Sequence, residues 1–183
     1  QSAVTTTVTQ ASQNLSVDWK SFNVSPQEVV NFVQPSATAI AVNRILDTGG
    51  TQILGNINAN GQVYLINPNG ILFGQGSQVN VGGLVASTLD LNDAHLSGNA
   101  KVFSGNGTAS IINQGNLTAA NGGYVALLGK SIINQGLIKA SEGSVVLGAG
   151  DNVTLSFEHN SLLQIQVNQS LLDTLVENGG LIH

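Results

Sequence analysis

The side chains able to do chemistry are few and scattered. The chain holds three histidines (His95, His159 and His183), ten carboxylates, five cations and no cysteine. His95 stands in LNDAHLSG close to Asp93, and His159 follows Glu158. Neither falls in an HExxH pair, a G-x-S-x-G elbow or a spaced set of metal ligands, so each reads as a solvated surface group. Asp90 and Asp93 form the one close aspartate pair, and no cation stands beside them in the sequence. A lyase built on stacked strands would need such aspartates for calcium together with a basic group in one groove. No catalytic residue, metal site or cofactor is therefore expected. Arg44 is the sole arginine. Flanked by Val42, Ile45 and Leu46, it is expected to be partly covered and paired with Asp47 or with a corner carbonyl.

A second group of residues does conformational rather than covalent chemistry. Asn67-Pro68-Asn69-Gly70 is built for a tight turn. Proline fixes φ at the second position, asparagine suits the third, and glycine accepts a left-handed conformation at the fourth. Ile71 then opens a new apolar run. The turn is either a structural corner or a contact for a partner, and these readings overlap.

The elements that carry these residues are strands. Among 183 residues there are 22 glycines and three prolines, and Val, Ile and Thr are common while helix-favouring Glu, Lys and Arg are scarce. The net charge is −5 and the cations stand singly, which excludes the clustered positive charge that nucleic-acid binding needs. No apolar run approaches the ~20 residues of a membrane-crossing helix. No basic segment followed by an apolar core opens the chain at Gln1, so a mature or trimmed piece is expected. The lack of cysteine suits passage of an extended chain through a narrow pore, where a crosslink would jam.

An internal repeat organises the strands. IINQGNLTAANGGYVALLGKS from Ile111 and IINQGLIKASEGSVVLGAG from Ile132 share nine identities at an offset of 21 residues. Weaker echoes start at Gly55 and Asn178. Leucine-rich repeats share this period, but their leucine spacing and helical returns are missing. Each unit instead holds short apolar runs separated by Asn-Gln-Gly, Asn-Gly or Glu-Gly corners. The expected fold is all-β: a right-handed parallel β-helix with about 20–22 residues per coil, since parallel crossovers are overwhelmingly right-handed. An Asn/Gly-rich β-sandwich is the alternative, and it would make the offset a coincidence. In the coil reading Asn113 lies over Asn134 in a structural amide ladder, and Val125 lies over Val146 inside. One domain spans 1–183. Residues 1–35 are expected as capping strands, with Trp19 covering the open end of the core. Residues 36–183 are expected as coils, with extra-helical β elements and a helical excursion near 170–178 between Ser170 and Gly179.

Particular segments carry a resemblance. NPNGI at 67–71, followed by LFGQGSQVNVGGLVAST to Thr88, stands with VDWKSFNV (17–24), VNFVQPSATAIAVNRIL (30–46) and NANGQVYLINPNG (58–70). NVTLSF (152–157) and LVENGGLI (175–182) extend the match over essentially the whole chain. Together they resemble the secretion domain of two-partner-secretion exoproteins, also called the filamentous-haemagglutinin-type haemagglutination activity domain. Asn43-Arg44-Ile45-Leu46 is similar to a second motif of the adhesin branch. The resemblance implies a domain at the N-terminus of a long exoprotein, behind a secretory signal. A partner outer-membrane β-barrel transporter with POTRA domains would recognise it in the periplasm, with Asn67, Pro68, Asn69, Gly70 and Ile71 as the export motif and the N-terminal strands beside it facing the partner; Asn43 and Arg44 form the secondary family motif. The chain would fold outside as a β-helix, and a C-terminal passenger of the same chain would follow it, secreted or held at the surface of a Gram-negative cell. Such passengers are adhesins, cytolysins, haem-acquisition proteins or toxin stalks. A further strand region found before the equivalent of Gln1 in the family is missing, and a new coil begins where the chain stops, so a fragment is expected. The alternative is an adhesive module that itself binds host-surface glycans or a host receptor. A carbohydrate-active enzyme is the third reading.

Overall fold

The computed structural model describes residues 4–157, 163–169 and 174–183. Short strands follow one another around a column of about six turns. The first coil is β1 (Val4–Thr9) and β2 (Asn14–Trp19), closed by a parallel bridge from Val24 to Ile53. The second is β3 (Glu28–Val33), β4 (Ile40–Ile45) and β5 (Thr51–Ile53); the third is β6 (Asn56–Ala59), β7 (Gln62–Ile66) and β8 (Ile71–Phe73). The fourth runs β9 (Gln78–Val81) and β10 (Gly83–Ser87), leaves the column through β11 (Asp90–Leu91), a 3-10 turn at Asp93–His95 and β12 (Ala100–Ser104), and returns at β13 (Ser110–Asn113). The fifth is β14 (Asn116–Ala119), β15 (Tyr124–Gly129) and β16 (Ser131–Asn134). The sixth is β17 (Leu137–Ala140) and β18 (Ser144–Ala149), a second excursion through β19 (Asn152–Phe157) and β20 (Leu163–Gln169), then β21 (Leu175–Asn178). β22 (Leu181–Ile182) begins another turn.

Equivalent strands stack into three parallel sheets: β1-β3-β6-β9-β14-β17-β22, β2-β4-β7-β10-β15-β18 and β5-β8-β13-β16-β21. The column is thus a parallel β-helix, with strands at the usual spacing of about 4.8 Å. The two excursions join into a fourth, antiparallel sheet, β11-β12-β19-β20.

Two cores result. Phe32, Ile57, Leu65, Phe73, Val125 and Ile132 belong to the column interior. Tyr64, Val85, Leu91, Phe103, Leu128 and Leu155 belong to a second core, between the outer face of the β2–β18 sheet and the antiparallel sheet. This sandwiching explains the local sequence. QVYLI, GLVAS and YVALLG in β7, β10 and β15 are near-continuous apolar runs because both faces are covered. QVNV and NLTA in β9 and β14 alternate because only one face is covered.

Register departs from the repeat at one corner. Asn113 faces Asn134 and Ala119 faces Ala140, at the expected offset of 21. Beyond the Asn121-Gly122 corner the pairing becomes Val125 with Val145 and Leu127 with Leu147. The fifth coil holds one more residue at this corner than the sixth. Val146 therefore pairs with Ala126, not Val125, and lies in the second core rather than the column. A single residue gained in a turn moves the following side chains to the opposite face.

The helix expected near 170–178 is corrected where it is described. Leu175–Asn178 is the strand β21, in parallel register with Ser131–Asn134. Its apolar spacing suits one helical face, but the unpaired edge of β16 offers a row of backbone donors and acceptors that a short helix would leave unmet. Residues 170–173 lie outside the described residues. The N-terminal segments β1 and β2 pair in parallel with β3 and β4 and so form a coil of the column itself. At that end the Trp19 indole donates to Asn43 Oδ1 at 3.0 Å and meets the Phe22 ring edge-on at 5.5 Å.

Buried amides tie successive coils. Asn113 Nδ2 donates to Asn134 Oδ1 at 2.8 Å, and Asn134 Nδ2 donates to Asn178 Oδ1 at 2.7 Å. Asn113 and Asn134 are both fully buried. Between them the chain passes so close to its neighbour that a Cβ on Gly136 would run into the Gly115 carbonyl.

Asn134→Leu leaves Asn113 without its amide acceptor and Asn178 without its donor. A loss of about 2–3 kcal/mol is expected in urea unfolding. Gln114 and Gln135 form an exposed rung beside it at 3.1 Å, and Gln114→Ala should change stability by less than about 0.5 kcal/mol.

Candidate functional site

The Asn67–Gly70 corner joins β7 to β8, and its polar atoms are used by the fold. Gly70 N–H donates to Asn67 O at 3.0 Å and closes the turn, with Gly70 at φ +100°. Asn69 N–H donates to Asn67 Oδ1 at 2.9 Å. Asn67 is fully buried, and its amide reaches down one coil to Gly49 O at 3.1 Å and Thr51 Oγ1 at 3.0 Å. Its backbone N–H donates one coil up, to Ser87 O at 2.9 Å. Asn69 Nδ2 donates to Asp47 O at 2.8 Å. A Cβ on Gly70 would lie 3.0 Å from Ser110 O, so only glycine suits both the left-handed φ and the close approach. Ile71 is buried in the column core. Of the five residues, Pro68 and Asn69 alone are exposed.

Asn43 and Arg44, on β4, face opposite ways. Asn43 is buried and bonds Ala41 O at 3.1 Å, Tyr64 O at 3.2 Å and the Trp19 indole. Arg44 holds the first excursion. Nε donates to Asp90 Oδ1 at 2.8 Å, Nη2 to Asp93 Oδ1 at 2.6 Å and to Leu91 O at 2.7 Å, and Nη1 to Ser16 Oγ at 2.6 Å. Burial by itself lowers the guanidinium pKa, but the hydrogen bonds and charges of Asp90 and Asp93 outweigh it and raise the group above its ordinary value. The expected Asp47 partner is thus replaced, and the aspartate pair that looked cation-free in the sequence has its cation from two coils below. No local signal in the sequence carries this pairing, because the excursion folds the chain back across the sheet.

Two further buried polar groups escaped the sequence reading. Lys101 on β12 is nearly buried; its ammonium donates to Leu96 O at 3.1 Å and Gly98 O at 2.9 Å and lies 5.2 Å from the centre of the Phe157 ring. Burial lowers its pKa. Tyr64 and Tyr124 hydroxyls meet at 2.7 Å, and Tyr124 donates to Gln62 Oε1 at 2.6 Å. Burial raises both phenols. The pair joins the third coil to the fifth, and Gly83 between them leaves room, since a Cβ there would lie 2.9 Å from the Tyr124 ring.

The groups described so far fasten neighbouring segments of the fold to one another. His95 is half-buried, His183 is exposed, and His159 lies outside the described residues. Among the described residues no group of three His, Cys, Asp or Glu side chains is placed to hold a metal ion. No helix of the described residues is long and apolar enough to cross a membrane.

Arg44→Lys keeps the charge but loses the planar fork. Faster amide exchange across residues 90–99 is expected, with global stability lowered by about 1–3 kcal/mol. Lys101 yields a pH signature. Between its lowered folded pKa and the ordinary lysine value, the unfolded chain binds more protons than the folded protein, so stability from this group rises with pH through that window. Chemical unfolding of Lys101→Met against the parent across mildly alkaline pH should show that rise removed.

Known proteins place the chain. The sequence profile of the TPS secretion domain matches residues 1–182. A heme/hemopexin-binding protein of Haemophilus influenzae is 42% identical over 97 residues, covering 53% of this chain and 10% of that protein. The heme/hemopexin-binding protein of the H. influenzae Rd strain is 34% identical over 191 residues, covering 96% of this chain and 20% of its own length. The chain thus spans about a fifth of that relative. The crystal structure of the HMW1 secretion domain from H. influenzae superposes with a TM-score of 0.84 at 31% identity, covering 93% of this chain and 46% of that one. The column of parallel coils matches that fold over nearly the whole chain, and the chain belongs to the family of TPS secretion domains of large exoproteins.

Proposed function

We propose that the domain directs export of a longer exoprotein through a partner outer-membrane β-barrel transporter, and that folding itself withdraws the export motif. The transporter's periplasmic POTRA domains would meet the motif before it folds. One observation supports this reading: Asn67, Asn43 and Arg44 spend their polar atoms on groups of the folded domain. Asn67 is fully buried on Gly49 and Thr51, Asn43 on Ala41, Tyr64 and Trp19, and the Arg44 side chain is only 14% exposed beneath the first excursion. Asn43, Asn67 and Arg44 become accessible in quantity only in the unfolded chain, while Pro68 and Asn69 stay exposed after folding. Once the second, third and fourth coils close outside the cell, a transporter can no longer hold those groups, and return through the pore would require breaking the whole set of bonds.

The first coils to emerge would template those that follow, because each new strand finds a complete parallel edge. A passenger continuing from the last coil would be added in the same way. No observation among the described residues favours the adhesive alternative.

The test is Asn69→Ala combined with Gly70→Val, assayed for secretion through the cognate barrel and for folding of the purified domain. Loss of export together with slow or failed folding supports the reading. Unchanged export would remove the turn from the mechanism.

A further inference from the structure

Five Asn-Gly pairs occur in the chain: Asn60-Gly61, Asn69-Gly70, Asn106-Gly107, Asn121-Gly122 and Asn178-Gly179. Such pairs share an intrinsic reaction. The backbone nitrogen of the glycine, unhindered by a side chain, attacks the asparagine Cγ. The new N–Cγ bond forms a succinimide as the Cγ–Nδ2 bond breaks and ammonia leaves with the amide proton. Water then opens the ring to aspartate or isoaspartate. The step needs a glycine N–H free to lose its proton and an asparagine side chain free to swing back onto it.

The fold denies both at four of the pairs. Gly61 N–H donates to Gln34 Oε1 at 3.0 Å, Gly70 to Asn67 O at 3.0 Å, Gly122 to Ser141 O at 2.9 Å and Gly179 to Asn134 O at 2.8 Å. The asparagines are held as well. Asn60 Nδ2 donates to Gln34 O at 2.8 Å, Asn69 Nδ2 to Asp47 O at 2.8 Å and Asn121 Nδ2 to Glu142 Oε2 at 2.6 Å, while Asn178 Oδ1 accepts from Asn134 at 2.7 Å. Asn106-Gly107 differs in every respect. It lies in the irregular return from β12 to β13, Asn106 is exposed, and among the described residues neither the Asn106 side chain nor the Gly107 N–H has a hydrogen-bond partner.

We propose that Asn106 is a site of spontaneous deamidation in the folded domain, and that the coil-to-coil hydrogen bonds protect the other four Asn-Gly pairs. The position matters because Gly107 is wedged against the export corner, where a Cβ would lie 2.8 Å from Thr88 O and 3.0 Å from Pro68 O. Isoaspartate at 106 inserts a backbone methylene and a negative charge directly beside that contact. The modification thus accumulates after folding, on a strand return that abuts the Asn67–Gly70 turn.

The test is peptide-mapping mass spectrometry of the 183-residue protein, incubated at mildly alkaline pH, folded and in urea. In the folded protein the amide-to-acid mass gain should build up at Asn106 at least about tenfold faster than at any other Asn-Gly pair, since each of those must first break a backbone hydrogen bond. In urea all five should convert at similar rates. Asn106→Gln should leave the folded protein free of the acidic species in charge-resolved separation. Folded-state conversion at Asn106 no faster than at Asn60 or Asn69, or an acidic species persisting in Asn106→Gln, would overturn the proposal.

Discussion

A strand of this column has no local partner for its backbone. Its N–H and C=O groups are met by the strand one turn below and one turn above, tens of residues away in sequence. Burying such groups unpaired is costly, so each coil can form only against a coil already in register. Length variation is then confined to the corners. The extra residue of the fifth coil sits at Asn121-Gly122, and both excursions leave from the same end of the β2–β18 sheet. Because they depart from equivalent places, they meet each other and cover the sheet they left.

The polar groups inside the molecule follow from the same constraint. A buried amide is tolerated only where its bonds are met, and in a stack the available partners are in neighbouring coils. Asn67 reaches from the third coil to the second, Asn113 and Asn134 link the fourth, fifth and sixth, and Arg44, on the second, gathers groups from the first and fourth. Each fastener spans a coil boundary, so folding and the burial of these groups are one event. Under the proposed export role, this coupling would withdraw Asn43, Arg44 and Asn67 from a partner as the coils close.

The repeat made much of this architecture legible from residues alone. Short apolar runs at a spacing near one coil, with Asn and Gly at the breaks, determine stacked strands because side-chain alternation and left-handed corners are local properties. The stacking of Asn113 on Asn134 and the turn at Asn67–Gly70 come from the same local information.

Tertiary structure decided whatever depends on two distant segments arriving together. Which face Val146 takes depends on one residue inserted at a corner, a count that repeat identities blur. Leu175–Asn178 has a helical pattern but a waiting strand edge, and the edge prevails. Arg44 finds Asp90 and Asp93, not Asp47, because the excursion turns back over the sheet. Whether an Asn-Gly pair is locked or free rests on hydrogen bonds from another coil. Local pattern specifies the kind of element and its corners; register and partner choice are energies between segments, and those exist only once the coils are stacked.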